Sequence, residues 1–144
     1  MSLSEKIKSG QKPELTEAEA AFCIFMAVIY ADGKMSDEEL SEFSYYFNKI
    51  KLFKKHTVTE LFNEFQKLFE HFGYNPVKVV ELACPFISTS NRLPVFIYCC
   101  DFVYSEDVVK SNEEMLLQDV MLGLTLDEKI AENAIQIMKR KSQL

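Results

Sequence analysis

Two stretches of the chain gather carboxylates at a spacing that could hold a cation. In "YADGKMSDEEL", which runs from Tyr30 to Leu40, Asp32 and Glu39 stand seven residues apart with Gly33, Asp37 and Glu38 between them. In "YSEDVVKSNEEM", Asp107 and Glu114 repeat the spacing of seven, with Glu106 and Glu113 beside them. Calcium takes about six to eight oxygen ligands, which the EF-hand supplies from a loop between two helices. With Glu39 set at the final, bidentate position of that loop, Asp32 and Gly33 fall at the fifth and sixth positions as the loop requires. The first and third positions would be Val28 and Tyr30, where the loop needs carboxylates. One hairpin therefore offers at most half a shell, and the other is the obvious source of the rest. Asp32, Glu39, Asp107 and Glu114 are the metal candidates; Asp37, Glu38, Asp101, Glu106 and Glu113 are secondary ones.

The same residues have a purely structural explanation. Ser/Thr-x-x-Glu is the capping box, in which the hydroxyl accepts a bond from a first-turn amide and the glutamate reaches back. It occurs at Thr16, Ser36, Thr57, Ser111 and Thr125, each time ahead of an apolar-periodic stretch. Glu39 and Glu114 then serve as caps, and Asp37, Glu38 and Glu113 complement a helix N-terminus. Asp32 suits a helix-ending turn, and Gly33 its left-handed position. Asp101, in the apolar "IYCCDFVY", is expected on a polar stripe facing solvent; buried, it would need a partner.

The elements that must position these residues read as helices throughout. "ELFNEFQKLFEHF" spaces Leu61, Phe62, Phe65, Leu68, Phe69 and Phe72 three and four apart, along one helical face. Asn75-Pro76 and "SNRLP" from Ser90 add two further helix starts, and Gly33, Gly73 and Gly123 follow periodic runs as closing residues. The expected helices cover 15–31, 37–53, 58–72, 76–88, 91–105, 112–122 and 126–141, with Pro85 shortening or kinking the fourth. No segment combines strand alternation with hairpin-turn chemistry. The expectation is an all-α fold: one compact domain of about seven helices over residues 15–144, preceded by a flexible or partly helical arm over 1–14. The twelve phenylalanines, without a tryptophan, read as packing between helices.

The second acidic stretch echoes the first in order: an apolar helix ending in Tyr30 or Tyr104, an acidic turn, a serine, two glutamates and a second apolar helix. Two similar helix-turn-helix hairpins follow, a candidate pseudo-two-fold pair. The copies differ at Val108, which replaces the turn glycine. Aligning the two tyrosines pairs Glu106, not Asp107, with Asp32.

At "YADGKMSDEEL" the chain resembles the TerB-like tellurite-resistance family, whose signature is a helix ending in an Ala-Asp-Gly turn followed by Ser/Thr and a glutamate. Asp32, Gly33 and Glu39 match that motif; Asp107 and Glu114 match only the copy that lacks the glycine. The resemblance implies an all-helical bacterial domain, associated with tellurite or other stress responses and suspected of binding metal ions.

Composition bounds the remaining functions. A net charge of −6 repels phosphate backbones, so nucleic acid is not an expected partner. Apolar runs stop short of the about 18 residues that a bilayer span needs, and no leader-like start is present, so a cytoplasmic protein is expected. Cys23, Cys84, Cys99 and Cys100 sit among apolar neighbours without zinc or redox spacing, and read as buried thiols. No nucleophile–histidine pair, phosphate cradle or zinc-protease motif occurs, so no enzyme is expected. Two classes are left: a module that binds a divalent cation through its acidic turns, or an adaptor that docks other proteins and uses the carboxylates only as caps. The two hairpin starts are expected to form one acidic face, with Lys139, Arg140 and Lys141 as a separate basic end.

Overall fold

From Ala20 to Ile29 the sequence is apolar on every side, and a helix without a polar stripe has to be surrounded. In the computed structural model, which describes residues 3–31, 33, 35–105 and 109–144, this helix is the centre of the molecule. The helices are α1 (Leu3–Lys8), α2 (Glu17–Ile29), α3 (Asp37–Lys49), α4 (Val58–His71), α5 (Pro76–Ala83), α6 (Thr89–Tyr104), α7 (Ser111–Gly123) and α8 (Glu128–Ser142). The fold is all-α, and no strand occurs among the described residues. Among the described residues the α-helices number eight rather than about seven, because Leu3–Lys8, within the N-terminal arm, is helical and packs on α4. Around α2 lie α4, α5, α6 and α7, and α8 packs along α6.

The phenylalanines fill the space between these elements. Phe22 and Phe25 of α2 meet Phe43, Phe53 and Phe102 edge to face at centroid distances of 5.3 to 6.0 Å. Phe47 stacks on Phe53 at 4.9 Å. That stack explains why the helix expected over 37–53 is divided. Ile50 turns extended (φ −78°, ψ 116°), and a 3₁₀ turn over Lys51–Phe53 folds Phe53 back against Phe47 and Phe22. Full burial of one such ring is worth roughly 2–3 kcal/mol, more than the helical bonds lost at the break. Pro85 acts as expected: α5 ends at Ala83 and a 3₁₀ turn, Cys84–Phe86, replaces its last turn.

The caps differ from the sequence pattern in an instructive way. Thr16 and Ser36 form complete capping boxes with Glu19 and Glu39, and Thr57 accepts from the Glu60 N–H at 3.1 Å. The other two matches are not caps. Lys110 is the N-cap of α7, so Ser111 lies inside the first turn. Asp127 caps α8, accepting from Lys129 and Ile130, while Thr125 lies in the turn at φ +51°. The start of α6 is set from a distance: at its N-cap Ser88, both the N–H and the hydroxyl donate to the Glu17 carboxylate of α2, as does the Asn91 amide. This moves the start upstream of Ser90 and leaves Pro94 inside the helix.

Gly33 (φ +84°) and Gly73 (φ +64°) are left-handed as expected, but Gly123 is not. It is the last residue of α7, and a Cβ there would lie 2.7 Å from the Cys84 sulfur; its role is close approach between α7 and the 3₁₀ turn after α5. Thr125, two residues later, takes the positive φ, held by the Arg92 guanidinium at 2.6 Å from its hydroxyl.

Candidate functional site

The two hairpins share a register, and it is set by the tyrosines. Tyr30 caps the C-terminus of α2 and Tyr104 is the last residue of α6; α3 and α7 each begin seven residues further on, at Asp37 and Ser111. The counterpart of Ser36 is therefore Lys110, and the counterpart of Glu39 is Glu113 rather than Glu114. Burial agrees. Glu113 is 5% exposed, the only charged side chain in the core among the described residues.

Of the four primary metal candidates, Asp32 and Asp107 lie outside the described residues, as does Glu106. Glu39 has one carboxylate oxygen in its capping box, accepting from the Ser36 N–H at 3.2 Å while its own N–H donates to the Ser36 hydroxyl at 3.1 Å. It also faces Tyr30: burial and then the Glu39 charge raise that phenol's pKa. Asp37 and Glu38 are exposed in the same first turn. Glu114 accepts from the Tyr104 hydroxyl at 3.0 Å, with the Lys139 ammonium 4.0 Å away. That bond ties the end of α6 to the start of α7, and burial together with the Glu114 bond raises the Tyr104 pKa. Glu114 is therefore neither the cap nor an uncommitted ligand.

Asp101 does not face solvent. Its side chain is 14% exposed and accepts from the Tyr46 hydroxyl of α3 at 2.7 Å and the Lys141 ammonium of α8 at 2.8 Å. The carboxylate is withdrawn from most of its solvent because two donors from two other helices replace its water. Burial and this bond raise the Tyr46 pKa. Glu42 is raised by partial desolvation, then by Asp101, Glu39 and Glu38, which places an acidic field between α3 and the end of α6. Lys139 and Lys141 reach into the same region, so the basic end of α8 is not separate from the hairpin acids but supplies their counter-charges.

As ligands, these groups are largely spent. Glu39 keeps one oxygen outside its box, Glu114 already has a phenol and an ammonium, and Asp101 is doubly bonded. No group of three or more His, Cys, Asp or Glu side chains converges among the described residues. The four cysteines are buried and unpaired as disulfides; burial pushes the Cys84 and Cys100 thiols up to about 12 and holds Cys23 and Cys99 higher still.

Sequence inspection missed a different feature. Between α6 and the Lys51–Phe53 turn runs an open groove of about 550 Å³, its apolar wall made by Phe25, Ile50, Leu52, Pro94, Val95 and Tyr98. Lys49 and Lys51 stand on its rim, and Lys54 and Lys55 follow within the same turn. Lys49 leans on Tyr45, its ammonium 4.2 Å from the ring centroid and bonded to the hydroxyl. Lys51, Lys54 and Lys55 pair with no carboxylate among the described residues. Four lysines in the seven positions 49–55, out of sixteen basic residues in an acidic chain, were the available signal. No protein-family model, curated protein or solved structure matches the chain.

Proposed function

We propose that the chain is a non-enzymatic, TerB-like interaction module that docks an acidic, amphipathic helix of a partner protein in the groove beside α6. The observation that carries this is the pairing of an apolar floor with a lysine rim that has no carboxylate partner among the described residues. An open groove covers only one face of its occupant, which suits a helix laying down apolar anchors, whereas drug-sized ligands lose most of their surface in a pocket. Glutamates flanking those anchors would complete the rim. The buried, unoxidised thiols suit the reducing cytoplasm, and the link to tellurite or stress response rests on the motif resemblance.

Selection from a phage-displayed random library of about 16 residues, roughly four helical turns, tests it. Enriched peptides should carry net negative charge with apolar residues three and four apart, and bind more weakly as salt rises. They should be lost on the Lys51→Glu/Lys54→Glu variant. Enrichment without acidic bias, retention on that variant, or displacement by dodecanoate would refute the occupant. So would occupation of the groove by a second copy, seen as a dimer that the variant dissociates.

A divalent cation held by the acidic turns is the second reading, and one observation favours it. Ala31, just after α2, lines a cavity of about 190 Å³ together with Asn112 and Met115 of α7, so the flanks of the two turns are neighbours. Chelator-treated protein titrated with calcium, magnesium and zinc decides the matter. A melting shift and heat of binding that Asp32→Asn/Glu39→Gln abolishes would establish the cation site, since binding to the folded state alone must stabilise it. Neither signal would leave the acidic crowd as a helix junction.

A further inference from the structure

A second opening, distinct from the lysine-rimmed groove, has walls of a different chemistry. A cavity of about 470 Å³ beside the first turn is lined by Tyr30 at the end of α2, Phe65 and Phe69 of α4, and Tyr74 in the turn that follows. The rings are contiguous: centroids are 5.8 Å apart for Tyr30 and Phe65, 5.1 Å for Phe65 and Phe69, and 5.5 Å for Phe69 and Tyr74. Gly33 also lines the cavity, and the place its Cβ would take is open, with nothing within 4 Å.

Two features distinguish this wall from ordinary core packing. Tyr74 is 65% exposed and holds φ at +62°, directly after Gly73 at +64°. A bulky side chain in the left-handed region carries strain, and this one is not repaid by burial. The backbone there is fixed by the Tyr74 N–H donating to the Phe69 carbonyl at 2.8 Å, and the ring, edge to face with Phe69, lines the cavity while staying exposed. The second feature is charge. Glu70 is the one charged side chain among the described lining residues, and the Glu39 carboxylate adds to burial in raising the Tyr30 pKa. Aromatic rings and negative potential meet here, with no ammonium in the described lining to neutralise them.

A hard metal ion would not exchange its water for rings. A quaternary ammonium spreads its charge over methyl groups, is weakly hydrated, and gains from both the ring quadrupoles and apolar burial. We propose that this cavity binds a trimethylammonium group, held between the accessible rings of Tyr30 and Tyr74, with Phe65 and Phe69, 1% and 8% exposed, backing the site from the core and Glu70 as counter-charge. Such a group arrives on a free small molecule or on a trimethylated lysine of a protein. The site is independent of the groove beside α6 and stands whether or not that groove is occupied.

Titration of the full chain with tetramethylammonium, choline and a short trimethyllysine peptide, followed by NMR of the aromatic protons, tests it. Saturable binding should shift the Tyr30 and Tyr74 resonances, and the neutral isostere 3,3-dimethylbutan-1-ol should bind about tenfold more weakly. Choline stronger than the peptide assigns a small-molecule ligand; the reverse assigns a modified protein. Tyr74→Asn removes the ring while Asn tolerates positive φ, so the fold is kept and affinity should fall about tenfold. Glu70→Gln, on an exposed helical position, should weaken binding several-fold even if the first variant is compromised. No saturation by ~20 mM, far weaker than a multi-ring cation site, equal binding of the neutral isostere, or indifference to both substitutions overturns the proposal.

Discussion

Gly123→Ala isolates the contact between α7 and the turn that Pro85 creates. The new methyl would lie 2.7 Å from the Cys84 sulfur, 3.1 Å from its Cβ and 3.8 Å from a Val80 methyl. Cys84 is fully buried, so its sulfur can move only by displacing other core atoms. Forcing a methylene into a packed core costs about 1–3 kcal/mol. Against this, alanine is preferred to glycine within a helix by about 1 kcal/mol, and less at the last helical residue. The expected net loss is about 1–2 kcal/mol, or a melting temperature lower by about 3–6 °C for a chain of this size. Urea unfolding should show a lower midpoint at unchanged slope. In a Cys84→Ala background the sulfur is gone and the same substitution should cost about 1 kcal/mol less. An increase in stability, or an equal cost in both backgrounds, would show that Gly123 is not required for close approach.

Ser36→Ala should cost about 1 kcal/mol in urea unfolding, because it removes half of a complete capping box; Ser111→Ala, inside the first turn of α7 and without a cap bond, should cost less than about 0.5 kcal/mol. Equal losses would refute the assignment of Lys110 as the N-cap. The thiols set a pH dependence. Burial raises Cys84 and Cys100 from 9.0 to about 12, so the folded state keeps protons that the unfolded chain loses. Their stabilising contribution is fully present below pH 9.0 and declines as pH rises toward 12. The urea midpoint should fall across that range, less so when both are alanine relative to that variant's own neutral-pH midpoint, and native protein should resist iodoacetamide at pH 8. Rapid alkylation without unfolding would refute it.

Helix order was legible because each helix carries its own instructions. The all-apolar α2, the three-and-four spacing in α4, the Asn75-Pro76 start and the Pro85 stop are local signals, and each is read within one or two turns of chain. What was not legible depends on partners distant in sequence. Glu17 supplies the donor-seeking oxygens that start α6 some seventy residues later. Phe47 and Phe53 divide a helix that local propensity would continue. Arg92 holds Thr125 where a cap was expected, and Cys84 rather than a turn explains Gly123. The candidate site shows the same limit. Seven-residue spacing selected Glu114, yet the packed register follows Tyr30 and Tyr104 and makes Glu113 the counterpart of Glu39.

The two hairpins also show how one sequence plan is put to unequal uses. The second helix of the first pair, α3, buries only Phe43 and Phe47, while α7 buries Glu113, Leu116, Leu117 and Val120. The acid that closes a cap on α3 is half-buried beside Tyr30, and its counterpart on α7 lies in the core. The hairpin tyrosine is also engaged differently: Tyr104 donates to Glu114 and locks α6 to α7, whereas Tyr30 joins the aromatic wall beside Gly33. The glycine allows this difference. With no side chain at position 33, where a Cβ would meet nothing within 4 Å, this residue leaves the cavity beside Tyr30 unfilled; the packed register gives the second copy Asp107 at that position of the sequence. The second hairpin spends its tyrosine and its core acid on packing, whereas the first keeps Tyr30 on a cavity wall, so one helix-turn-helix plan meets different demands in its two copies.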